Sequence, residues 1–358
     1  MRELSALGFG PFFEQQLQPS DGYEPILARI AAEHRNAYEV WSGKSTGPAQ
    51  LSGRLRTEST DDGLPCVGDW VILKSEPAVD HTAIIERVLT RRTEFSRGAA
   101  GRQMRVQAVA ANVDLVFAVC GLDADFNLNR IERYVARIWA SGAQPSLVLN
   151  KADIVENSAG RAAEVGRRCP GVPIFVTSAL LSEGTEALRA CIRNGETAAF
   201  VGSSGAGKSS LINALTGENR MPTGEVRQGD GRGCHITTHR QIVPLPGGGL
   251  LLDTPGMREL QLVDDDGLDA VFEDIVVLSA QCRFRDCRHD TEPECAVKQA
   301  VESGTIAAER LENYRKLARE AEAGERRRDA RLRRQDERAF SRLSNEATRL
   351  RRLKENLE

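Results

Sequence analysis

The sequence predicts a multidomain chain of three parts: an N-terminal β-barrel, a central α/β domain with a mainly parallel sheet, and a C-terminal metal-binding and helical part. Three observations support this prediction. Short strands separated by turn residues fill 36–95, apolar strands alternate with helices over 115–252, and cysteines cluster near residue 282. The expected domains are residues 1–100, 101–268 and 269–358.

The composition is typical of a soluble globular protein. Of the 358 residues, 41% are apolar and 28% are charged, and no apolar run approaches the roughly 18 residues of a membrane-spanning helix. Residues 1–19 lack a compact apolar stretch behind a basic start, so we expect no signal peptide and a cytoplasmic protein. The net charge of −3 implies no polyanion partner, although arginines concentrate in 91–105 and from Arg310 onward. These stretches fit a solvated helix face as well as an RNA contact.

The N-terminal part has the strand spacing of a small barrel. Turn residues separate its strands, and a linker rich in glycine and arginine, Ser96–Arg105, ends it. Tyr38, Trp41 and Trp70 are candidate stacking platforms for single-stranded RNA, although core packing explains them better. The four predicted strands are Ala37–Trp41, Gln50–Leu55, Asp69–Leu73 and Ala83–Val88.

The central part alternates continuous apolar strands with helices, as in a parallel sheet covered on both faces. After its last strand the sheet is expected to end, and a charged helical tail should occupy about 299–358. The predicted strands are Leu115–Val119, Ser146–Leu149, Ile174–Val176, Ala198–Val201 and Leu250–Leu252, and the predicted helices are Leu128–Ala140 and Lys208–Leu215.

A glycine-rich segment follows the strand at 198–201 and opens the next helix. It has the form G-x-x-x-x-G-K-S of a phosphate-binding loop, whose backbone N–H groups and helix N-terminus attract phosphates. We expect Lys208 to reach the β- and γ-phosphates and Ser209 to ligate Mg²⁺. The alternative is a glycine-rich turn with an incidental lysine. The assigned residues are Gly202, Ser203, Ser204, Gly205, Ala206, Gly207, Lys208, Ser209 and Ser210.

A second motif indicates which base is bound. Asn150-Lys151-Ala152-Asp153 has the form N-K-x-D and follows the strand at 146–149. Its aspartate can accept hydrogen bonds from the N1–H and amine of guanine, which adenine does not offer. Ser178-Ala179-Leu180 follows the next strand and would add a backbone N–H to guanine O6. Taken alone, N-K-x-D is as easily a chance tetrapeptide, but its place at a strand end favours a guanine site.

Asp253-Thr254-Pro255-Gly256 has the form D-x-x-G after the strand at 250–252. In this motif the aspartate holds Mg²⁺ through water, and the N–H of the glycine, Gly256, senses the γ-phosphate. In isolation the same residues would indicate a β-turn. Ordinary GTPases place the phosphate loop before N-K-x-D, whereas this chain places it after, so the sequence predicts a circularly permuted GTPase domain.

A metal site is predicted from one cluster. Cys282, Cys287, His289 and Cys295 supply three thiolates and an imidazole, the ligand set of a closed structural zinc site. No position remains for a water molecule, so this zinc is expected to be structural. Arg283, Arg285 and Arg288 lie between the ligands and are candidates for contacts with phosphates. The other five cysteines are interpreted as ordinary buried or half-buried residues.

The motif order, the preceding barrel and the following cysteines resemble the ribosome small-subunit-dependent GTPase A family (RsgA, also called YjeQ) over nearly the whole chain. The cysteine and histidine spacing also matches that family. Further residues that carry the resemblance are Val67–Val71, Gln107–Asp114 and Gly233–Thr238. The resemblance implies an OB-fold barrel, GTP as substrate with Mg²⁺, one structural zinc ion per chain, and action in late maturation of the small (30S) ribosomal subunit. It also implies contact with 16S rRNA and turnover stimulated by the ribosome; we expect a monomer without membrane contact.

The residue that orients the attacking water is not the usual one. Many GTPases have a glutamine directly after D-x-x-G, but this chain has Met257 there. His235 is the best polar candidate, and the resemblance implies the same role; the alternative is a surface histidine of a loop. Either Thr237 or Thr238 would sense Mg²⁺, and we favour Thr237.

Two rival functions remain open from the sequence. One is a GTP-gated assembly factor that acts by occupying rRNA and hydrolyses GTP only incidentally. The other is an ATPase or metabolite kinase, against which Asp153 argues because adenine offers it no donor.

Overall fold

The fold was analysed on a computed structural model that describes residues 3–18, 24–34, 37–58, 64–98, 106–217, 240–253 and 266–326. The chain divides into two compact units, Met1–Gln261 and Leu262–Glu358. The first unit contains both the barrel and the central sheet. The predicted boundary near residue 100 between these two parts stays a prediction.

The barrel begins after a 3-10 turn at Leu4–Leu7 and a short helix, α1 (Pro11–Glu14). Its strands hydrogen-bond in the order β1-β2-β3-β5-β4, and β4 pairs back onto β1, which closes the barrel as an OB-fold requires. Ile30, Val40, Val71 and Ile85 fill the interior and are fully buried. The strands are β1 (Ile26–His34), β2 (Ala37–Ser42), β3 (Thr46–Leu51), β4 (Trp70–Leu73) and β5 (Ala83–Val88), with helix α2 (Gly53–Glu58) after β3.

The central part contains a parallel sheet with one antiparallel edge strand. An antiparallel pair, β6 (Glu94–Gly98) and β7 (Val106–Ala111), precedes it. The sheet order is β10-β9-β8-β11-β13-β12, and β12 alone runs antiparallel to its neighbour β13. The confirmed α/β architecture follows from strands whose central residues are mostly apolar and buried. These strands are β8 (Leu115–Gly121), β9 (Gln144–Asn150), β10 (Ile174–Val176), β11 (Thr197–Gly202), β12 (Gln241–Pro244) and β13 (Leu250–Asp253).

Helices cover the sheet, and each is formed by a segment in which the apolar residues recur at helical spacing. Asn127 caps α3 by accepting a hydrogen bond from the backbone N–H of Arg130 at 2.9 Å. Phe117, Phe200 and Leu211 belong to the core between sheet and helices. The helices are α3 (Leu128–Ala140), α4 (Ser158–Arg168), α5 (Thr185–Ala190) and α6 (Lys208–Thr216).

The barrel and the central sheet meet at a seam. Ala32 of β1 pairs with Gln241 of β12, and the Arg240 guanidinium lies 3.2 Å from the Glu33 carboxylate. Arg29 is 1% exposed, and burial lowers the pKa of its guanidinium to about 10. It donates to three backbone carbonyls, those of Leu7, Gly68 and Asn112, at 2.6, 3.3 and 2.8 Å.

The second unit is helical around the cysteine cluster. Its helices are α7 (Asp266–Val271), α8 (Glu273–Ser279), α9 (Ala296–Glu302) and a last helix at 308–326. Arg310 joins two of them by donating to the Asp274 carboxylate at 2.8 Å. None of the described helices combines the length and apolar character needed to cross a bilayer.

Two predictions about elements need correction. Gln50–Leu55 is not one strand, because β3 ends at Leu51 and α2 begins at Gly53. The predicted linker Ser96–Arg105 starts inside β6, and its residues 99–105 lie outside the described part. The predicted helical tail corresponds, within the described part, to the end of α9 and the helix at 308–326, and its residues 327–358 lie outside the described part.

Candidate nucleotide site and metal centre

The predicted nucleotide motifs gather at one edge of the central sheet. Asn150 ends β9, Gly202 ends β11 and Asp253 ends β13, while Ser178 follows β10 by two residues. Because β8 to β11 and β13 are parallel, their carboxyl ends open on the same side. Ligands of open α/β sheets bind in the crevice at this edge.

The glycines of the phosphate loop are required by the backbone. Gly202, Gly205 and Gly207 have φ angles of 146°, 81° and 96°, which side chains with a Cβ rarely adopt. A Cβ on Gly202 would lie 2.3 Å from the carbonyl oxygen of Val119. The loop leads directly into α6, and Lys208 Nζ donates to the carbonyl oxygens of Gly202, at 2.8 Å, and Ser203. The Lys208 side chain is thus held against the backbone of the predicted phosphate loop.

Asn150 links three segments that are distant in the sequence. Its amide nitrogen donates to the carbonyl oxygen of Ala206 in the phosphate loop at 3.0 Å. Its amide oxygen accepts from the Thr177 hydroxyl at 3.1 Å and from the Ala179 N–H at 3.0 Å. Because Asn150 is 2% exposed, these bonds satisfy a buried amide. The N-K-x-D, S-A-L and phosphate loops are therefore fixed relative to one another by one side chain.

The residues predicted to recognise the base, Lys151 and Asp153, are more exposed to solvent than Asn150. Asp153 is exposed and accepts a hydrogen bond from the Ser178 hydroxyl at 2.5 Å. Lys151 has a φ of 66°, and its ammonium lies 2.6 Å from the Asp123 carboxylate. Partial burial acts to raise the pKa of Asp123, but the hydrogen bonds from Lys151 and from the Asp125 N–H, together with the charge of Lys151, outweigh it and the pKa is lowered.

A cavity of about 690 Å³ opens between these loops. Its volume falls in the range of sites for small molecules and cofactors. Predicted residues from all three loops line it, together with residues of α6 that the sequence analysis did not single out. The lining residues are Asn150, Lys151, Asp153, Ile154, Ala179, Leu180, Ser182, Gly207, Ser210, Asn213, Ala214 and Gly217.

Other predicted site residues are not part of this lining. Ser209 lies in the first turn of α6, and Asp253 is buried at the end of β13, where burial raises the pKa of its carboxyl. Their hydroxyl and carboxylate oxygens are ligand types that suit Mg²⁺. Ala152 is half-buried, Ser178 is buried, and Ser204 and Gly205 of the phosphate loop are exposed. His235, Thr237, Thr238, Gly256 and Met257 lie outside the described residues.

The sequence analysis missed two acidic residues after β8. Asp123 pairs with Lys151, and Asp125 accepts from the Ser203 hydroxyl and from Arg130. A signal was present, because both follow an apolar strand that the topology places between β9 and β11. Polar residues at the carboxyl end of a parallel strand are candidates for a site by position alone.

The four predicted metal ligands come together in the second unit. The ligand atoms of Cys282, Cys287, His289 and Cys295 lie within 4.8 Å of one another. Cys282 Sγ is 3.8 Å from Cys295 Sγ and 3.6 Å from His289 Nδ1, and His289 Nδ1 is 3.4 Å from Cys295 Sγ. With metal–sulfur bonds of about 2.3 Å, tetrahedral zinc ligands stand about 3.8 Å apart. The donor set and its spacing therefore fit tetrahedral zinc.

Helix α9 begins at this cluster and favours a thiolate there. Burial acts to raise the pKa of Cys282, but N–H groups of Val297 and Ala296, in the first turn of α9, outweigh it and lower the pKa. Metal binding requires the thiolate form. Burial lowers the pKa of His289 and thereby keeps its imidazole neutral, which is the form that binds metals.

Comparison with known proteins identifies the family. The sequence profile described as RsgA GTPase matches residues 88–263. The small ribosomal subunit biogenesis GTPase RsgA of Opitutus terrae is 45% identical over 327 residues, which are 88% of this chain and 89% of that protein. The chain belongs to the RsgA family of GTPases.

Solved structures agree with this membership in RsgA. The crystal structure of YjeQ from Thermotoga maritima is 28% identical, covers 83% of this chain and 99% of its own, and has a TM-score of 0.63. YloQ, described as a circularly permuted GTPase, is 24% identical, covers 84% of this chain and 96% of its own, and shares the fold with a TM-score of 0.60. The predicted permuted GTPase fold with its barrel and cysteine cluster is confirmed.

Proposed function

We propose that this chain binds GTP with Mg²⁺ in the cavity between the three loops and hydrolyses it to GDP and phosphate during maturation of the small ribosomal subunit. One observation carries the proposal: Asn150 ties the base-binding and phosphate-binding loops around a single cavity. A nucleotide that spans this cavity would meet Asp153 with its base and the phosphate loop with its phosphates. The domain assignment 1–100, 101–268 and 269–358 is part of the same proposal.

Each loop would contribute one kind of contact. Asp153 would accept from guanine N1–H and the amine, and a backbone N–H of the Ser178-Ala179-Leu180 segment would donate to O6. Lys151 would pack along the base plane. The phosphates would lie against Gly202–Ser210, with Lys208 on the β- and γ-phosphates. Ser209 would ligate Mg²⁺, Asp253 would hold it through water, and the Gly256 N–H would contact the γ-phosphate.

The base assignment is tested by Asp153→Asn. In this variant the asparagine N–H₂ would face the guanine amine, and two donors cannot form a hydrogen bond. Xanthine has a carbonyl at position 2, which can accept from that N–H₂. We expect GTP affinity to fall at least about a hundredfold and XTP affinity to rise, measured by displacement of a fluorescent guanine nucleotide. Asp80→Asn, an exposed position of the barrel, is the control. Equal affinity of the unmutated protein for GTP and ATP would refute the proposal.

We assign His235 to orientation of the attacking water, because Met257 has no polar atom for this task, and Thr237 to sensing of Mg²⁺. Replacement of His235 by alanine should lower single-turnover GTP hydrolysis at least about a hundredfold while GTP affinity stays the same. Unchanged ribosome-stimulated turnover in His235→Ala would show that another group activates the water.

The partner follows from the relatives, whose name is small ribosomal subunit biogenesis GTPase. We infer that this chain acts in the cytoplasm as a monomer on the 30S subunit and contacts 16S rRNA. Purified 30S subunits should raise its GTP turnover, and 50S subunits should not. GTP-dependent binding to 30S subunits without stimulated turnover would favour the assembly factor whose hydrolysis is incidental.

We further propose that the cysteine cluster holds one structural Zn²⁺ per chain. All four predicted ligands are present at tetrahedral spacing, which leaves no position for a reacting water molecule. Bound zinc would crosslink the segment between α8 and α9. Cys282, Cys287, His289 and Cys295 are the ligands.

A further inference from the structure

The loop between β8 and α3, residues 122–127, touches both halves of the nucleotide site. Strand β8 lies between β9, which leads to N-K-x-D, and β11, which leads to the phosphate loop. Hydrogen bonds that do not involve its carboxylates contribute to holding the loop backbone. Its Leu122 N–H donates to the Asn150 carbonyl at 2.8 Å, the Leu122 carbonyl accepts from Arg161, and Asn127 caps α3.

Asp123 contacts the base half. Its carboxylate lies 2.6 Å from Lys151 Nζ, and both side chains are about one-third exposed, at 30% and 31%. The other carboxylate oxygen of Asp123 accepts from the backbone N–H of Asp125 at 3.0 Å, which fixes the orientation of the carboxylate. Lys151 lines the cavity, so Asp123 determines where this lysine places its stem and charge.

Asp125 contacts the phosphate half. One of its carboxylate oxygens accepts from the Ser203 hydroxyl, and the other pairs with Arg130 in the first turn of α3. The carbonyl of Ser203 in turn holds the ammonium of Lys208. A continuous chain of hydrogen bonds therefore runs from Arg130 through Asp125 and Ser203 to the lysine of the phosphate loop.

We propose that Asp123 and Asp125 are positioning residues of the nucleotide site, Asp123 for the base through Lys151 and Asp125 for the phosphates through Ser203. The proposal rests on the proposed binding of a guanine nucleotide in this cavity. Two carboxylates from one short loop reach two different motifs, so each controls a different part of the ligand. Hydrogen bonds that involve charged groups are strong enough to hold such side chains in place.

The test separates base contacts from phosphate contacts by the length of the ligand. Dissociation constants of GTP, GDP and GMP are measured for the unmutated protein, Asp123→Ala and Asp125→Ala by displacement of a fluorescent guanine nucleotide. Loss of Asp125 should weaken GTP and GDP about fivefold to thirtyfold and GMP less than about twofold, because GMP lacks the β-phosphate. Loss of Asp123 should weaken all three nucleotides by the same factor.

The control variant is Asp114→Ala at the opposite end of β8. Asp114 is also paired with an arginine and accepts a backbone N–H, from Thr197 at 2.8 Å, and its side chain is 20% exposed compared with 18% for Asp125. It lies away from the loops, so its loss should lower the melting temperature without changing the ratio of GMP to GDP affinity. Melting curves of all variants show how much of each effect is loss of folded protein.

A double-mutant cycle tests the route through Ser203. If Asp125 acts through that hydroxyl, Asp125→Ala should have much less effect on GDP affinity in a Ser203→Ala background. Additive effects, or equal losses for GMP and GDP in Asp125→Ala, would overturn the assignment of Asp125. Unequal losses for the three nucleotides in Asp123→Ala would overturn that of Asp123. If the unmutated protein itself shows no preference for guanine nucleotides, the proposed function fails instead.

Discussion

At the scale of single residues, the contact between Gly207 and Asn150 decides whether the two halves of the nucleotide site fit together. A Cβ on Gly207 would lie 2.1 Å from the amide nitrogen of Asn150, so any larger residue must displace that side chain. The φ of 96° adds a backbone cost of its own. Glycine is therefore required at position 207 for two separate reasons: the Asn150 side chain lies too close for a Cβ, and the backbone is left-handed.

We expect Gly207→Ala to lower the free energy of unfolding by about 3 kcal/mol, from backbone strain together with the broken bonds of a buried amide. Gly205→Ala is the comparison, because its φ of 81° is also left-handed but nothing lies within 4 Å of an added Cβ. It should cost only about 1 kcal/mol. Denaturant titration measures both, and equal losses would show that the Asn150 contact contributes nothing.

Seven of the twelve residues that line the cavity belong to the predicted motifs, whereas two carboxylates that hold those motifs in place belong to none. Asn150, Lys151 and Asp153 were identified because their side chains match the chemistry of guanine, and the cavity contains all three. Asp123 and Asp125 belong to no ligand motif, and their partners Lys151 and Ser203 are far away in the sequence. Such contacts become visible only when strand order is known.

At the scale of elements, α9 begins directly after Cys295, one of the four proposed zinc ligands. Cys295 is the residue before the first turn of α9 and is 3% exposed. In Cys295→Ala we expect zinc content to fall well below one equivalent and the melting temperature of the second unit to fall, because metal binding supplies folding energy. GTP affinity should stay the same. Elemental analysis and calorimetry provide the measurements.

Cys191→Ala serves as the control for this prediction. Cys191 lies at the end of α5 in the first unit and is half-buried, so it should keep the full zinc content. Full zinc content and unchanged melting in Cys295→Ala would show that the cysteine cluster does not stabilise the second unit.

Elements with a clear periodicity of apolar residues and sufficient length were predictable from the sequence, and other elements were not. Helix α3 was predicted with both ends correct, because its apolar period and cap agree. Strand β1 was missed because Ile26–His34 contains three alanines and a glutamate, residues that are uncommon in strands. Its pairing with β2, β4 and β12 decides its conformation instead. Tertiary pairing of this kind overrides local preference.

At the scale of the whole molecule, Arg29 joins the N-terminal turn, the barrel and the start of the central domain. Replacing it by methionine keeps the apolar stem but removes a donor from three carbonyl oxygens, of which, among the described residues, only that of Gly68 still accepts from the Asn112 amide. We expect the first unit to lose about 3–5 kcal/mol of stability, because each buried carbonyl left without a donor costs about 1–3 kcal/mol. Tryptophan fluorescence and far-ultraviolet circular dichroism should shift together, since barrel and sheet form one unit.

Arg56→Met is the matched control, because Arg56 is exposed on α2 of the same barrel. It should change stability by less than about 0.5 kcal/mol. Trp139 lies on α3, so both variants are made in a Trp139→Phe background in which only Trp41 and Trp70 of the barrel fluoresce. If Arg29→Met then shifts the fluorescence signal alone, the barrel unfolds independently of the sheet and the role assigned to Arg29 is wrong.

The pairing of β1 with β12 at the seam also protects the protein from aggregation with other copies of the same chain. Exposed strand edges recruit strands from other molecules and start aggregation. Here the main sheet is closed into a barrel at one end, and β1 covers part of the outer strand β12. At the opposite end, within the described part of the chain, the terminal strand β10 has three residues. So short an edge offers little for a neighbouring chain to extend, which favours solubility while the long chain is still folding.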